Sequence, residues 1–297
     1  MDFLLSVGLK PLIQLSLMPA RLARYPEKSA FFRPTVISEP RSNKEWAEFV
    51  AEFMRHIVDR YGANTVSSRL FTMWNEAETP SHMFCFRDPS LFGEFYRVTY
   101  ETVKSVLPPA KFGSASVLYE TLINSNWFEH IYTPRKDCTP DFILLHFYPV
   151  KSSAGFQLNS LGNSNIKLHH EMHIMSQSIT AVKQKLDGIG FGELPAYLTE
   201  WNFTTSHRDL LNDTVFKGAY VAENIIENYD RLASFGYWSL TDDITELPEE
   251  SDLFHGGIEP YTRNGSRKPP FYAFVFLSSL GDKLIGGEEK EHIRKNR

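Results

Sequence analysis

Leu70-Phe71-Thr72-Met73-Trp74-Asn75-Glu76 is an apolar run that stops abruptly on an amide and a carboxylate, and turn-forming residues follow. Near residue 200 the pattern recurs as Ala196-Tyr197-Leu198-Thr199-Glu200-Trp201-Asn202. Short, continuously apolar runs of this kind read as strands covered on both faces. Each delivers a glutamate to its C-terminal end. One such glutamate is most simply a solvated strand terminus. Two, each beside a Trp and an Asn, point to a site built from paired carboxylates.

Working outward, four more strand candidates emerge: Leu9–Ser16, Lys111–Ala115, Asp141–Tyr148 and Gly236–Thr241. Helical stripes lie between them. The clearest is Trp46, Phe49, Val50, Phe53, Met54, Ile57 and Tyr61, with Asn43 as its expected cap and Gly62 as its stop. Further helices are expected over Leu91–Val106 (capped by Ser90), Tyr119–Tyr132, His169–Leu186, from Asp213-Thr214 onward, and over Pro270–Leu280. Met18–Pro40 and Val150–Asn165 read as long loops. Strands alternating with helices, without hairpin signals, imply a parallel sheet. An open doubly wound sheet is the rival architecture, but the glycine-rich phosphate turn that usually marks one is absent. The expectation is an α/β chain with polar residues gathered just after its strands, as on the active face of a parallel barrel.

Composition excludes some functions. The 297 residues carry a net charge of -5, which offers nothing to a nucleic-acid backbone. No 18-residue apolar run suggests a membrane span. Met1–Gly8 lacks the basic start of a signal peptide and reads as the end of a helix capped by Gly8, so residues are expected to precede it and the location is read as cytoplasmic. Cys85 and Cys138 read as free thiols. His169 and His173 are spaced i, i+4, but the glutamate between them is misplaced for a zinc motif, so no metal or other cofactor is expected.

Paired carboxylates suit glycoside hydrolysis: one protonates the leaving oxygen, and the other attacks the anomeric carbon or activates water. Glu76 and Glu200 are the candidates. Asn75 can bond a sugar hydroxyl, and His146 and Tyr148 end a strand between the two glutamates. Trp201 and Trp238 are candidate stacking platforms, while Asp242, Asp243 and Glu246 are candidate acceptors for hydroxyls.

The motifs taken in order resemble glycoside hydrolase family 39, the β-xylosidase and α-L-iduronidase family of retaining (β/α)8 TIM barrels. They are Gly8-Leu9-Lys10-Pro11 through Met18-Pro19, Trp74-Asn75-Glu76, His146-Phe147-Tyr148, Thr199-Glu200-Trp201, Asp213-Thr214, Tyr237–Asp242, Phe254-His255-Gly256-Gly257 and Lys268-Pro269. The resemblance implies that Glu76, after the fourth barrel strand, is the acid/base and Glu200, after the seventh, the nucleophile. It also implies that the first strand present is the third of the barrel. Residues 1–285 would form a partial barrel lacking two βα units, followed by a tail over 286–297. Where the family has Pro after Asn-Glu this chain has Ala77, and Ile258-Glu259-Pro260 departs from the usual motif. The function expected is retaining hydrolysis of a β-xyloside-like bond. The alternative is a non-catalytic carbohydrate-binding or sensory domain of a larger protein such as a transcription regulator.

Overall fold

The computed structural model describes residues 1–30, 35–79, 86, 88–133, 137–150, 168–169, 171, 173–242 and 251–281. The expected tail, 286–297, lies outside the described residues, as do Cys85, Asp243 and Glu246. In chain order the elements begin with α1 (Asp2–Ser6), β1 (Leu12–Leu15), β2 (Ser29–Ala30), β3 (Thr35–Val36), α2 (Asn43–Tyr61), α3 (Ala63–Ser67), β4 (Leu70–Met73) and α4 (Pro89–Val106). There follow β5 (Lys111–Phe112), β6 (Val117–Leu118), α5 (Tyr119–Asn124), α6 (Trp127–Tyr132), β7 (Ile143–Phe147), α7 (Ile174–Gly188), β8 (Ala196–Trp201), α8 (Val215–Asn228), β9 (Ser234–Tyr237) and α9 (Pro269–Ser278).

The long strands run parallel in two sheets, β1-β4-β5 and β6-β7-β8-β9. Residues 111–118, of which only 111–115 were expected as a short strand, join them. Gly113 N–H still donates to Phe71 on β4, while Ser114 N–H already donates to Phe142, next to β7. The break falls at Gly113, where a Cβ would meet the Phe142 ring at 2.1 Å. Counted through this joint, six strand positions lie side by side, as the alternation predicts. The central β7 is wholly buried, whereas β1 and β9, at the two edges, are half-buried throughout.

The helices follow amphipathic logic, with local corrections. On α2 the buried stripe is Trp46, Val50, Met54 and Ile57, while Phe49 turns outward. Its cap is Ser42 rather than Asn43, and the stop at Gly62 is as expected, with φ 82°. Trp46 Nε1–H donates to Thr99 Oγ1 at 2.8 Å, which pins α2 to α4 without stranding a buried polar group. Asp88, not Ser90, caps α4, with Pro89 in its first turn. The expected helix over 119–132 is broken in two at Ser125-Asn126. The loop over 18–40 contains an antiparallel ribbon, β2 with β3. Helix α7 begins only at Ile174. His173 precedes it with φ 63° and contacts Glu227, so His169 and His173 share no helix face. Among the described residues no helix is long and apolar enough to cross a membrane.

Candidate active site

Strand β4 ends at Met73, and the backbone then turns through an unusual conformation. Trp74 has φ 56° and Glu76 φ 42°, both left-handed for residues with a Cβ. Such backbone costs about 1–3 kcal/mol per residue and persists where the surroundings over-determine it. Here the turn is stitched to the next strand position. Glu76 N–H donates to Ser116 O at 3.1 Å, and Ser116 Oγ–H donates to Asn75 Oδ1 at 3.1 Å. Thr79 Oγ1–H closes the turn on Glu76 O at 2.7 Å. Trp74 itself is core, edge-on to Phe86 and Phe95.

Glu200 is aimed by a different device. In the β7–β8 ladder, Leu145 pairs with Leu198 but His146 pairs with Glu200, so β8 carries one extra residue, Thr199. Side chains alternate faces along a strand, so without this bulge Glu200 would share the face of Leu198. With it, Glu200 stands beside His146. Strand β9 makes room for the bulge: a Cβ on Gly236 would lie 2.7 Å from Thr199 O. Gly236→Ala is therefore expected to cost about 1–3 kcal/mol through overpacking and to turn Glu200 away from His146. Thermal melting and turnover of this variant check it, with Gly188→Ala, whose added Cβ meets nothing within 4 Å, as the control left unchanged.

The two glutamates do face one another. One oxygen of Glu76, one of Glu200 and a nitrogen of His146 all lie within 4.8 Å of each other. His146 Nδ1 is 2.7 Å from Glu76 Oε1 and 3.4 Å from Glu200 Oε2. Tyr148 O–H donates to Glu200 Oε2 at 3.1 Å. Burial works against a charge on His146, but Glu200, the hydrogen bond to Glu76 and the Glu76 charge outweigh it and raise its pKa to about 8. At neutral pH the imidazolium thus donates between two carboxyl groups.

The other expected contacts divide. Asn75 lies beside Glu76, its oxygen held by Ser116 and its amide nitrogen unengaged by any described residue. Trp238 is half-buried, and Asn202 Nδ2–H donates to its backbone carbonyl at 2.5 Å. Trp201 corrects the expectation of a stacking platform: it is 0% exposed and packs against Tyr220, Phe235 and Tyr237. Its place in the register, opposite Phe147 and one residue past Glu200, turns it into the core. Asp242 is corrected likewise. Its side chain is 0% exposed and is held by Lys268 Nζ at 3.2 Å, which leaves no free face for a hydroxyl.

Lys268 is the centre of a network that sequence reasoning missed. Fully buried, it contacts Asp213 Oδ1 at 2.7 Å, Asp242, and the Gly257 carbonyl at 2.5 Å. Glu259, also buried, stands against Asp242; burial first and then its bond to Asp242 hold it well above the usual carboxylate range, so it keeps its proton. Lys217 lies nearby, bonded to Asn202 and to Asn212 Oδ1 at 2.7 Å. These contacts lock the segments after β8 and β9 together beneath the mouth of the sheet. The available signal was the isolated Lys268-Pro269 pair after a glycine turn, which says nothing of its partners.

A parallel barrel-type sheet bearing two facing carboxylates at the C-terminal ends of its strands is the arrangement of the paired-carboxylate glycosidases. The profile of glycosyl hydrolases family 39 matches residues 1–294, and the chain belongs to that family. It is 30% identical over 287 residues to a β-xylosidase of Caldicellulosiruptor saccharolyticus, covering 96% of this chain and 56% of that protein. To a β-xylosidase of Geobacillus stearothermophilus it is 28% identical over 293 residues, covering 96% and 55%. The crystal structure of a monomeric β-xylosidase from Caulobacter crescentus CB15 superposes with a TM-score of 0.82 at 25% identity, covering 94% of this chain and 55% of that one. The chain thus spans about half the length of the curated relatives it matches. The fold is that of a (β/α)8 TIM barrel, of which the described strands form a part.

Proposed function

We propose that the chain carries the catalytic centre of a retaining glycosidase acting on a β-xyloside-like substrate, a carbohydrate being its partner. The observation that carries this reading is the approach of Glu76 and Glu200 to within 4.8 Å, with His146 between them. A retaining pair stands about 5–5.5 Å apart, whereas an inverting pair stands about 6.5–9.5 Å apart to admit a water. An approach this short supports the retaining arrangement.

In the first step Glu76 gives its proton to the leaving oxygen while a Glu200 oxygen attacks the anomeric carbon. The carbon–oxygen bond to the aglycone breaks and a glycosyl ester on Glu200 forms. In the second step Glu76 takes a proton from water, and that water displaces Glu200. Tyr148 donates to Glu200, and the His146 imidazolium stands 3.4 Å from it; both favour its ionised form. Asn75 offers its amide nitrogen to a hydroxyl next to the reacting carbon, and Trp238 offers an aromatic face. The xyloside preference rests on the two β-xylosidase relatives.

The test is the anomeric form of the first product. Proton NMR of 4-nitrophenyl β-xyloside turnover should show β-xylose appearing before its α anomer. First appearance of the α anomer overturns the Glu200 nucleophile. Saturable xylose binding by calorimetry with no release of nitrophenol overturns catalysis and leaves a sugar-binding domain.

A further inference from the structure

Two residues beyond Glu76 stands a second glutamate that no step above uses. The Glu78 carboxyl is enclosed: Oε1 accepts the backbone N–H of Leu118 at 2.6 Å, and Oε2 is out of solvent contact with no hydrogen-bond partner among the described residues. Leu118 is the register partner of His146, the residue that bonds Glu76. Glu78 therefore ties the far side of the left-handed Glu76 turn to β6, while Ser116 ties the near side. Without the Glu78 contact, the turn beyond Glu76 is closed on itself by Thr79 and, among the described residues, fastened to the residue before β6 through Ser116.

We propose that Glu78 is a positioning residue for proton transfer at Glu76: its bond to Leu118 clamps the turn onto β6 and holds the Glu76 carboxyl against His146. This rests on the glycosidase reading only for its catalytic consequence. The groups facing Glu78 are Glu76 on its own turn and His146 on β7, with the Tyr132 phenol on α6 also within its field. Burial first, then the charge of Glu76, raise its pKa to about 8 against the pull of the Leu118 N–H. It is thus a neutral acid across the range in which such a site would work, adding no negative charge beside Glu76.

Glutamine keeps the acceptor and the neutrality; alanine removes the clamp, and aspartate shortens it. The His146 imidazole, followed by NMR titration, reports the clamp without any turnover. Glu78→Gln should lower its midpoint only by the small contribution of the Glu78 charge, and Glu78→Ala and Glu78→Asp should lower it by about half a unit or more beyond that as Glu76 moves off. Where aryl β-xylosides are turned over, the alanine variant should lose about 10- to 100-fold in kcat with KM little changed, and the glutamine variant should stay near wild type.

Neutral burial has its own signature. The unfolded glutamate ionises near its ordinary pKa and the folded one only near 8, so the wild type loses stability as pH rises between them. The melting temperature of Glu78→Gln relative to wild type should then climb from about pH 5 to 8 and level off above. A flat difference overturns the neutral acid. A His146 midpoint in Glu78→Asp, or in Glu78→Ala if it folds, equal to that of Glu78→Gln overturns the clamp. If no variant and no wild type turns over any glycoside while the His146 and melting results hold, the glycosidase reading fails and the clamp stands.

Discussion

Glu200→Ala is expected to abolish turnover of aryl β-xylosides, by on the order of 10⁴-fold or more, as removal of a covalent nucleophile does elsewhere. The reason is geometric. Glu200 Oε2 accepts from Tyr148 and stands 3.4 Å from His146, so the carboxylate is held in one place for attack. Alanine leaves a space on the attacking face. Added azide should fill it and restore part of the rate, with the α-glycosyl azide as product, because a single displacement inverts the anomeric centre. Glu76 remains present to protonate the leaving group in that experiment. Full turnover by the alanine variant removes Glu200 from the nucleophile role. Rescue that yields β-azide exchanges the roles of the two glutamates, since azide then replaces the acid/base in the second step.

Lys268→Met is expected to produce the largest loss of stability, about 3–5 kcal/mol, because removing one member of a buried ion network strands its partners. Asp213 and Asp242 would remain enclosed without their shared cation, beside a Glu259 that burial and its bond to Asp242 already keep protonated. For a domain of this size each kcal/mol shifts the melting temperature by roughly 2–4 °C. A fall of about 10 °C is therefore expected by calorimetry at pH 7. The loss should shrink in mild acid, where the stranded carboxylates take up protons. Because Lys268 also holds the Gly257 carbonyl, any residual activity should fall with the stability of the mouth rather than through the two glutamates. A variant that melts with the wild type makes the lysine a bystander.

Much of this molecule could be read from its residues. Strand–helix alternation rests on local patterns: the buried stripe of α2, the glycine stop at Gly62 and the apolar runs before Glu76 and Glu200. These depend on backbone preference and on which side chains avoid water, and both are written along the chain. Errors clustered where a cap had two polar candidates, as at Ser42 and Asp88, and where two short elements sat inside one apolar pattern, as at Asn124–Trp127. The ribbon in the loop over 18–40 was hidden because two-residue strands carry no periodicity.

The candidate site was legible only in part. Glu76, Glu200, His146 and Tyr148 were all placed at strand ends by the sequence, and the structure brings them together. Trp201 and Asp242 were named for their chemistry, yet one is core and the other is locked under Lys268. Chemistry alone does not say which way a side chain points. That depends on the parity of the strand and on partners distant in sequence.

The sequence by itself determined which residue types stand at the ends of which strands, and through the order of its motifs the family to which the chain belongs. Tertiary structure alone decided that the two glutamates meet. One extra residue at Thr199, admitted by the missing side chain of Gly236 on the neighbouring strand, reverses the facing of Glu200. A left-handed turn at Glu76, stitched to Ser116 and Leu118, brings the other carboxyl to His146. Both depend on contacts between strands that local sequence does not encode, because a one-residue change of register exchanges the faces of every side chain beyond it.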